Sequence, residues 1–263
     1  MKRVIIGLLV LAGVLAGADT VAAALAESAV SRQMREQIGL RDDPDVRING
    51  FPFTTQALSG TYSSIDVTAD RLSVGPLREV EIVAQLRDVV APLSEVLGSG
   101  PKSLEVDEAD GTVRVGADDV ERLVGDVERL RIETVDARVL ADLVEDGADP
   151  ALADLDPDRA ARLAGTTRVL GTETDVAVVV ALELEDDGTV RIVPQDVRLA
   201  DGDEPLPDAV QEAVRERFAV GIDPGTLPLE VVPDELRAVD GVLEISGSAR
   251  DLVLGAGATA AAG

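Results

Sequence analysis

The chain has no cysteine, no histidine and no tryptophan. Without cysteine there are no disulfides, no thiol nucleophile and no lipidated N-terminal cysteine. Without histidine, most familiar metal sites and most general-base machinery are gone as well. Lysine is nearly missing too, with Lys2 and Lys102 alone, and 24 Lys and Arg against 50 Asp and Glu leave a formal charge of −26. A phosphate polyanion needs a basic footprint, and no arginine cluster here escapes its neighbouring carboxylates, so nucleic acid is excluded as a partner. The same charge repels an anionic bilayer, so docking on a membrane face requires divalent cations or an N-terminal anchor. Solubility at the cell exterior is the plainer meaning of that charge.

Aromatic residues make up 2% of the chain, so its 46% hydrophobic content is nearly all Val, Leu, Ala and Ile. At 263 residues this suffices for a sizeable core, and it favours strands and aliphatic packing over ring stacking. Such a lining suits acyl chains, and an ordinary aliphatic core has the same composition.

Catalytic patterns fail one after another. Ser and Thr have no histidine partner and no G-x-S-x-G elbow. Gly98-Ser99-Gly100 and Ser246-Gly247-Ser248 read as turns, and Lys102, close to Ser99 and Ser103, reads as an exposed loop lysine. Two-carboxylate glycosidase chemistry has acidic candidates but no tryptophan platform for a sugar. Neither a phosphate-binding loop nor a dinucleotide fingerprint is present. Asp154, Asp156 and Asp158 alternate as in a calcium loop, but Arg159 takes the glycine position and Gly165 the bidentate-carboxylate position. The chain reads as a non-enzyme with no cofactor and no metal site.

Met1-Lys2-Arg3 followed by the apolar run Val4 to Ala18 has the form of a signal peptide, fifteen residues being shorter than the about 20 a spanning helix wants. Ala22-Ala23-Ala24 and Ala24-Leu25-Ala26 both fit the cleavage pattern. Residues 1–26 are therefore a signal peptide or an N-terminal membrane anchor, and 27–263 a single domain. The spacing of Ala26, Val30, Met34 and Ile38 predicts an amphipathic helix stopped by Gly39.

Strand patterns dominate the rest. Ile65, Val67 and Ala69 alternate, as do Val80, Ile82, Ala84 and Leu86 against Glu79, Glu81, Gln85 and Arg87. The longest example puts Val176, Val178, Val180, Leu182 and Leu184 on a buried face, opposite Asp175, Ala177, Val179, Ala181, Glu183 and Glu185 on a wet one. Asp110-Gly111, Asp187-Gly188 and Asp240-Gly241 each read as hairpin turns, the first two in nearly identical surroundings that suggest related units. Short helices are expected around Val120, Leu123 and Val124 and around Val139, Leu140, Leu143 and Val144, with 146–158 an exposed connection. After Pro205 and Pro207, the stripe Leu206, Val210, Val214 and Phe218 predicts a further helix.

Three of the four aromatics fall together in Ile48-Asn49-Gly50-Phe51-Pro52-Phe53-Thr54-Thr55-Gln56-Ala57-Leu58-Ser59-Gly60-Thr61-Tyr62. Two roles are open: the rings plug the end of the sheet, or they and Leu58 sit at a cavity mouth and meet lipid tails or a bilayer. The Tyr62 phenol either reaches a headgroup or caps the sheet. Gly50-Phe51-Pro52-Phe53, Gln56, Gly60 with Tyr62, and Ile65-Asp66-Val67 resemble, in order and spacing, the LmeA-like phospholipid-binding family of actinobacterial envelope proteins. The similarity extends to Leu227-Pro228-Leu229 and the closing stretch from Asp240-Gly241 to Arg250-Asp251-Leu252-Val253-Leu254.

The resemblance implies an α+β fold in which a strongly curved antiparallel β-sheet wraps around helices, elongated and tubular, and holds a lipid. It supplies no catalytic residues. Expected lipid-binding side chains are Phe51, Phe53, Leu58, Tyr62, Val178, Val180, Leu182 and Phe218. The expected partner is a phospholipid or another acyl-chain lipid, with transient membrane contact, for an exported protein of the periplasm or cell envelope. An envelope scaffold whose core is filled by its own side chains, or an extracellular carboxylate hydrolase, are the alternatives.

Overall fold

The computed structural model describes residues 2–92, 103–169, 171–185, 189–200, 206, 208–222 and 232–255. Gly98-Ser99-Gly100, Lys102, Asp187-Gly188, Pro205, Pro207 and Leu227-Pro228-Leu229 lie outside them. Helices and two antiparallel sheets make an α+β fold, and one sheet curls strongly into a half-barrel. The chain divides into two compact units, one of residues 1–70, 82–111 and 248–263, the other of 71–81 and 112–247.

The six-stranded sheet has the order β1-β2-β3-β4-β11-β10. Its strands are β1 (Asp45–Asn49), β2 (Thr61–Val74), β3 (Leu77–Val90), β4 (Ser103–Gly116), β10 (Val232–Val239) and β11 (Val242–Gly255). In β3 the alternation appears as expected: Val80, Ala84 and Leu86 are buried, while Arg87 turns outward to ion pairs with Glu108 at 2.7 Å and Asp110 at 2.9 Å. Arg114 likewise pairs with Glu81 and Glu244. Arg71, Asp88 and Asp251 adopt left-handed φ angles of 54°, 48° and 53° within β2, β3 and β11. Residues in that conformation bend a strand and sharpen its twist.

Asp110-Gly111 and Ser246-Gly247-Ser248 make no turns: they lie inside β4 and β11. Asp-Gly turns only where both residues can take positive φ between strands that pair with each other. Here the Asp110 carboxylate is held by Arg87 of the adjacent strand, and Thr112 bonds across to Ser246, so β4 runs straight through. Asp240-Gly241 does turn, with φ of 50° and 85°. The suggestion of two related strand-turn-strand units thus loses its first copy.

The second sheet, β5-β6-β7-β8-β9, comprises β5 (Val127–Thr134), β6 (Ala160–Val169), β7 (Thr172–Leu184), β8 (Val190–Leu199) and β9 (Val220–Ile222). Bulges mark β5, where register with β6 slips between Glu128 and Arg131, and β8 at Pro194-Gln195 opposite Val179 and Val180. Proline suits such a position because it donates no ladder hydrogen bond.

The face of β7 expected to be wet is so only at its ends, where Asp175, Glu183 and Glu185 are exposed; in its middle Ala177, Val179 and Ala181 are buried along with Val176, Val178, Val180 and Leu182. The expected helix around 139–144 and part of the segment expected as an exposed connection cover it. The helix Ala137–Glu145 and the 3-10 turn Pro150–Asp154 bring Leu140 and Leu152 into one cluster with Val179, Val135 and Ala160. The Arg198 guanidinium fastens this cover by donating to the Leu143 carbonyl at the helix's last turn, a favourable place for a cation. The other expected helices form at Ala117–Val124 and Asp208–Phe218, the latter burying Val210, Val214 and Phe218.

Candidate functional site

In the first unit the aromatic stretch folds around a short helix, α2 (Phe53–Ser59), between β1 and β2. Gly60 ends it at φ 72°, its amide bonded to the Gln56 carbonyl at 2.8 Å, a left-handed cap that suits glycine. The Gln56 carboxamide accepts from the Ser63 amide at 2.9 Å and donates to the Asn49 carbonyl at 3.3 Å, tying both flanking strands to the helix. Gly50, at φ 109°, leaves room for that side chain.

The helix N-terminus is closed by a residue far away in sequence. The first helix, α1, runs unbroken from Lys2 to Ile38, merging the expected export segment and amphipathic helix, and Gly39 stops it at φ 76°. Its Asp19 is 6% exposed and accepts from the amides of Phe53 and Thr54 at 2.8 Å each and from the Thr54 hydroxyl at 2.7 Å. A buried carboxylate needs such donors. They hold its carboxyl below the usual 3.8, the Thr54 amide foremost, against the opposing effect of burial. Further along α1, Glu27 accepts from the Ile48 amide, Ser31 donates to the Pro44 carbonyl, and Ala22, Ala23 and Ala26 pack on the unit's core.

The two readings of the aromatic stretch divide residue by residue. Phe53 and Tyr62 are 6% and 4% exposed, with ring centroids 6.4 Å apart, inside a cluster with Ala57, Leu86, Val89 and Val106. Burial raises the Tyr62 phenol above its usual 10.0. Phe51 and Leu58 point outward at 71% and 88% exposure. Phe53 and Tyr62 therefore plug the sheet, whereas Phe51 and Leu58 offer apolar surface.

The remaining expected residues belong to the second unit: Val178, Val180, Leu182 and Phe218 are all at 2% exposure or less. Asp19 was missed in the sequence, where it reads as the residue that ends an apolar run. No spacing signal links it to a helix start some 34 positions later. Among the described residues no group of three or more acidic side chains is placed to hold a metal ion.

The model of a family described as LmeA-like phospholipid-binding matches residues 17–248. No curated protein and no solved structure matches the chain.

Proposed function

Since the chain belongs to the LmeA-like phospholipid-binding family, we propose that it binds a phospholipid by its acyl chains, without catalysing a reaction on it, and carries that lipid in the cell envelope. The observation that carries this reading is the span of the match, 17–248, which takes in most of both units. The aliphatic composition supports it: a tail among Val, Leu and Ala side chains leaves water at about 0.8 kcal/mol per buried methylene. Val178, Val180 and Leu182 of β7, with Phe218, are the acyl-chain candidates of the second unit. Phe53 and Tyr62 support the exposed Phe51 and Leu58 of the first.

One observation favours a different reading. Val178, Val180 and Phe218 are already covered by the chain's own atoms, so a tail reaching them has to part them; a solid-cored envelope interaction protein has no such requirement. Organic extraction of the purified protein followed by mass spectrometry, together with uptake of a fluorescent phospholipid, separates the two. Carriage gives copurified phospholipid and saturable uptake. Neither signal appears if the core is solid.

A further inference from the structure

The N-terminal helix presents two kinds of surface. Before Asp19, Ile5, Ile6, Leu9, Val10, Leu11, Val14 and Leu15 are all exposed, so the helix is apolar around its whole circumference, a pattern that suits lipid and not water. From Asp19 onward the same helix is part of the fold, through the Asp19 cap on α2, the Ala22, Ala23 and Ala26 contacts with the core and the Glu27 bond to β1. Cleavage after Ala24 or Ala26 would remove the α2 cap and two of those three alanines or all three. The family match begins at residue 17, inside the segment such cleavage discards.

We propose that α1 is retained after export as a membrane anchor and that Asp19 couples it to α2, so that Phe51 and Leu58 dock into the bilayer that holds residues 4–18. Those fifteen residues rise about 22 Å at 1.5 Å each, against a hydrocarbon core of about 30 Å. A span this short draws the attached body toward the lipid surface. Phe51 lies two residues before the Phe53 amide that Asp19 holds, a reach of about 7 Å at most, and so sits where the apolar run ends. Leu58 is on the same short helix, and Val21 and Leu25 continue the exposed apolar surface on α1. Together they fit the interfacial layer, where aromatic and aliphatic groups meet headgroups. The anchor also overcomes the repulsion that a charge of −26 creates at an anionic membrane. This inference holds whether or not a lipid enters either sheet, and its test leaves lipid carriage out.

The protein has no tryptophan, so a single introduced one reports its own surroundings. Phe51→Trp in the full chain, reconstituted into phosphatidylcholine vesicles with doxyl-labelled acyl chains, is expected to emit blue-shifted light and to be quenched, as is Leu58→Trp made independently. The same two variants in vesicles whose acyl chains carry no doxyl label serve as the unquenched reference. Intact mass of protein recovered from an exporting host is expected to include Asp19. Water-like, unquenched emission from both tryptophans overturns the proposal, and so does a mature N-terminus at residue 25 or 27.

Discussion

Gln56 lies so close over Gly50 that a methyl group on the glycine would come within 2.7 Å of its Nε2. The glycine thus answers two demands, a φ of 109° and space for the carboxamide that joins β1 to β2. Gly50→Ala is expected to destabilise the protein by about 1–3 kcal/mol in denaturant titrations. In a Gln56→Ala background the steric part disappears and only the backbone strain remains, so the glycine substitution costs less. Equal costs in both backgrounds would show that the carboxamide is not the obstacle.

Phe51 and Phe53, one proline apart, should behave oppositely. Phe53→Ala opens a cavity against Tyr62, Leu86 and Val106 and is expected to cost about 3–5 kcal/mol. Phe51→Ala removes an exposed ring and should stay within about 0.5 kcal/mol. Chemical denaturation of the two variants side by side checks this. Comparable losses would mean that both rings belong to the core.

These residues also show what the sequence could and could not convey. Stripes such as Val210, Val214 and Phe218, and the alternation through Val80, Ala84 and Leu86, are legible because local periodicity sets which face is buried. Asp110-Gly111 reads as a turn but is not one because an Asp-Gly pair turns only where the strands on either side of it pair with each other, and the pairing of β4 with β3 and β11 is not local. The second face of β7 reads as wet because pairing a cover with it is not local: Leu140 sits on a helix that its apolar spacing does predict, whereas Leu152 lies in a segment whose Asp, Ala and Pro content resembles a loop. The aromatic stretch had two readings for a similar reason: Phe51 and Phe53 are chemically identical, and only tertiary packing separates them.

Asp19 ties stability to pH. Its carboxyl is held below 3.8 in the fold by Thr54 and Phe53, so the ionised form favours folding. Its contribution is complete above the unfolded value of about 3.8 and is lost as pH falls through the lower folded value. Asp19→Asn is expected to be less stable than the parent at neutral pH, with the gap closing below pH about 4. Denaturant titrations of both full-length proteins in detergent across that range check the sign. A gap unchanged by acid would show that the carboxylate charge plays no part in capping α2.

Asp119 is a counterpart in the second unit. It is 1% exposed and accepts from the amides of Arg78 and Glu79 at 2.9 Å and 3.0 Å, with Arg122 paired to the same carboxylate. Asp119→Ala leaves two amides without that acceptor, while the partly exposed Arg122 guanidinium turns to water, and is expected to cost about 1–3 kcal/mol. A loss within about 0.5 kcal/mol, as for an ordinary surface substitution, would mean that water replaces the carboxylate.

Lipid carriage carries a quantitative signature that headgroup recognition lacks. If aliphatic side chains take the tail out of water, about 0.8 kcal/mol per methylene is roughly a fourfold fall in Kd for each added carbon at 25 °C. The slope should continue until the tail outgrows the space the side chains can open, and then flatten. Exchanging the headgroup at fixed tail length should move Kd less than one methylene does. Short-chain phospholipids kept below their micelle concentration, titrated by calorimetry, give the slope directly. An affinity indifferent to tail length but sensitive to headgroup would place recognition in polar groups, and the aliphatic faces of β7 and the helix ending at Phe218 would then be core alone.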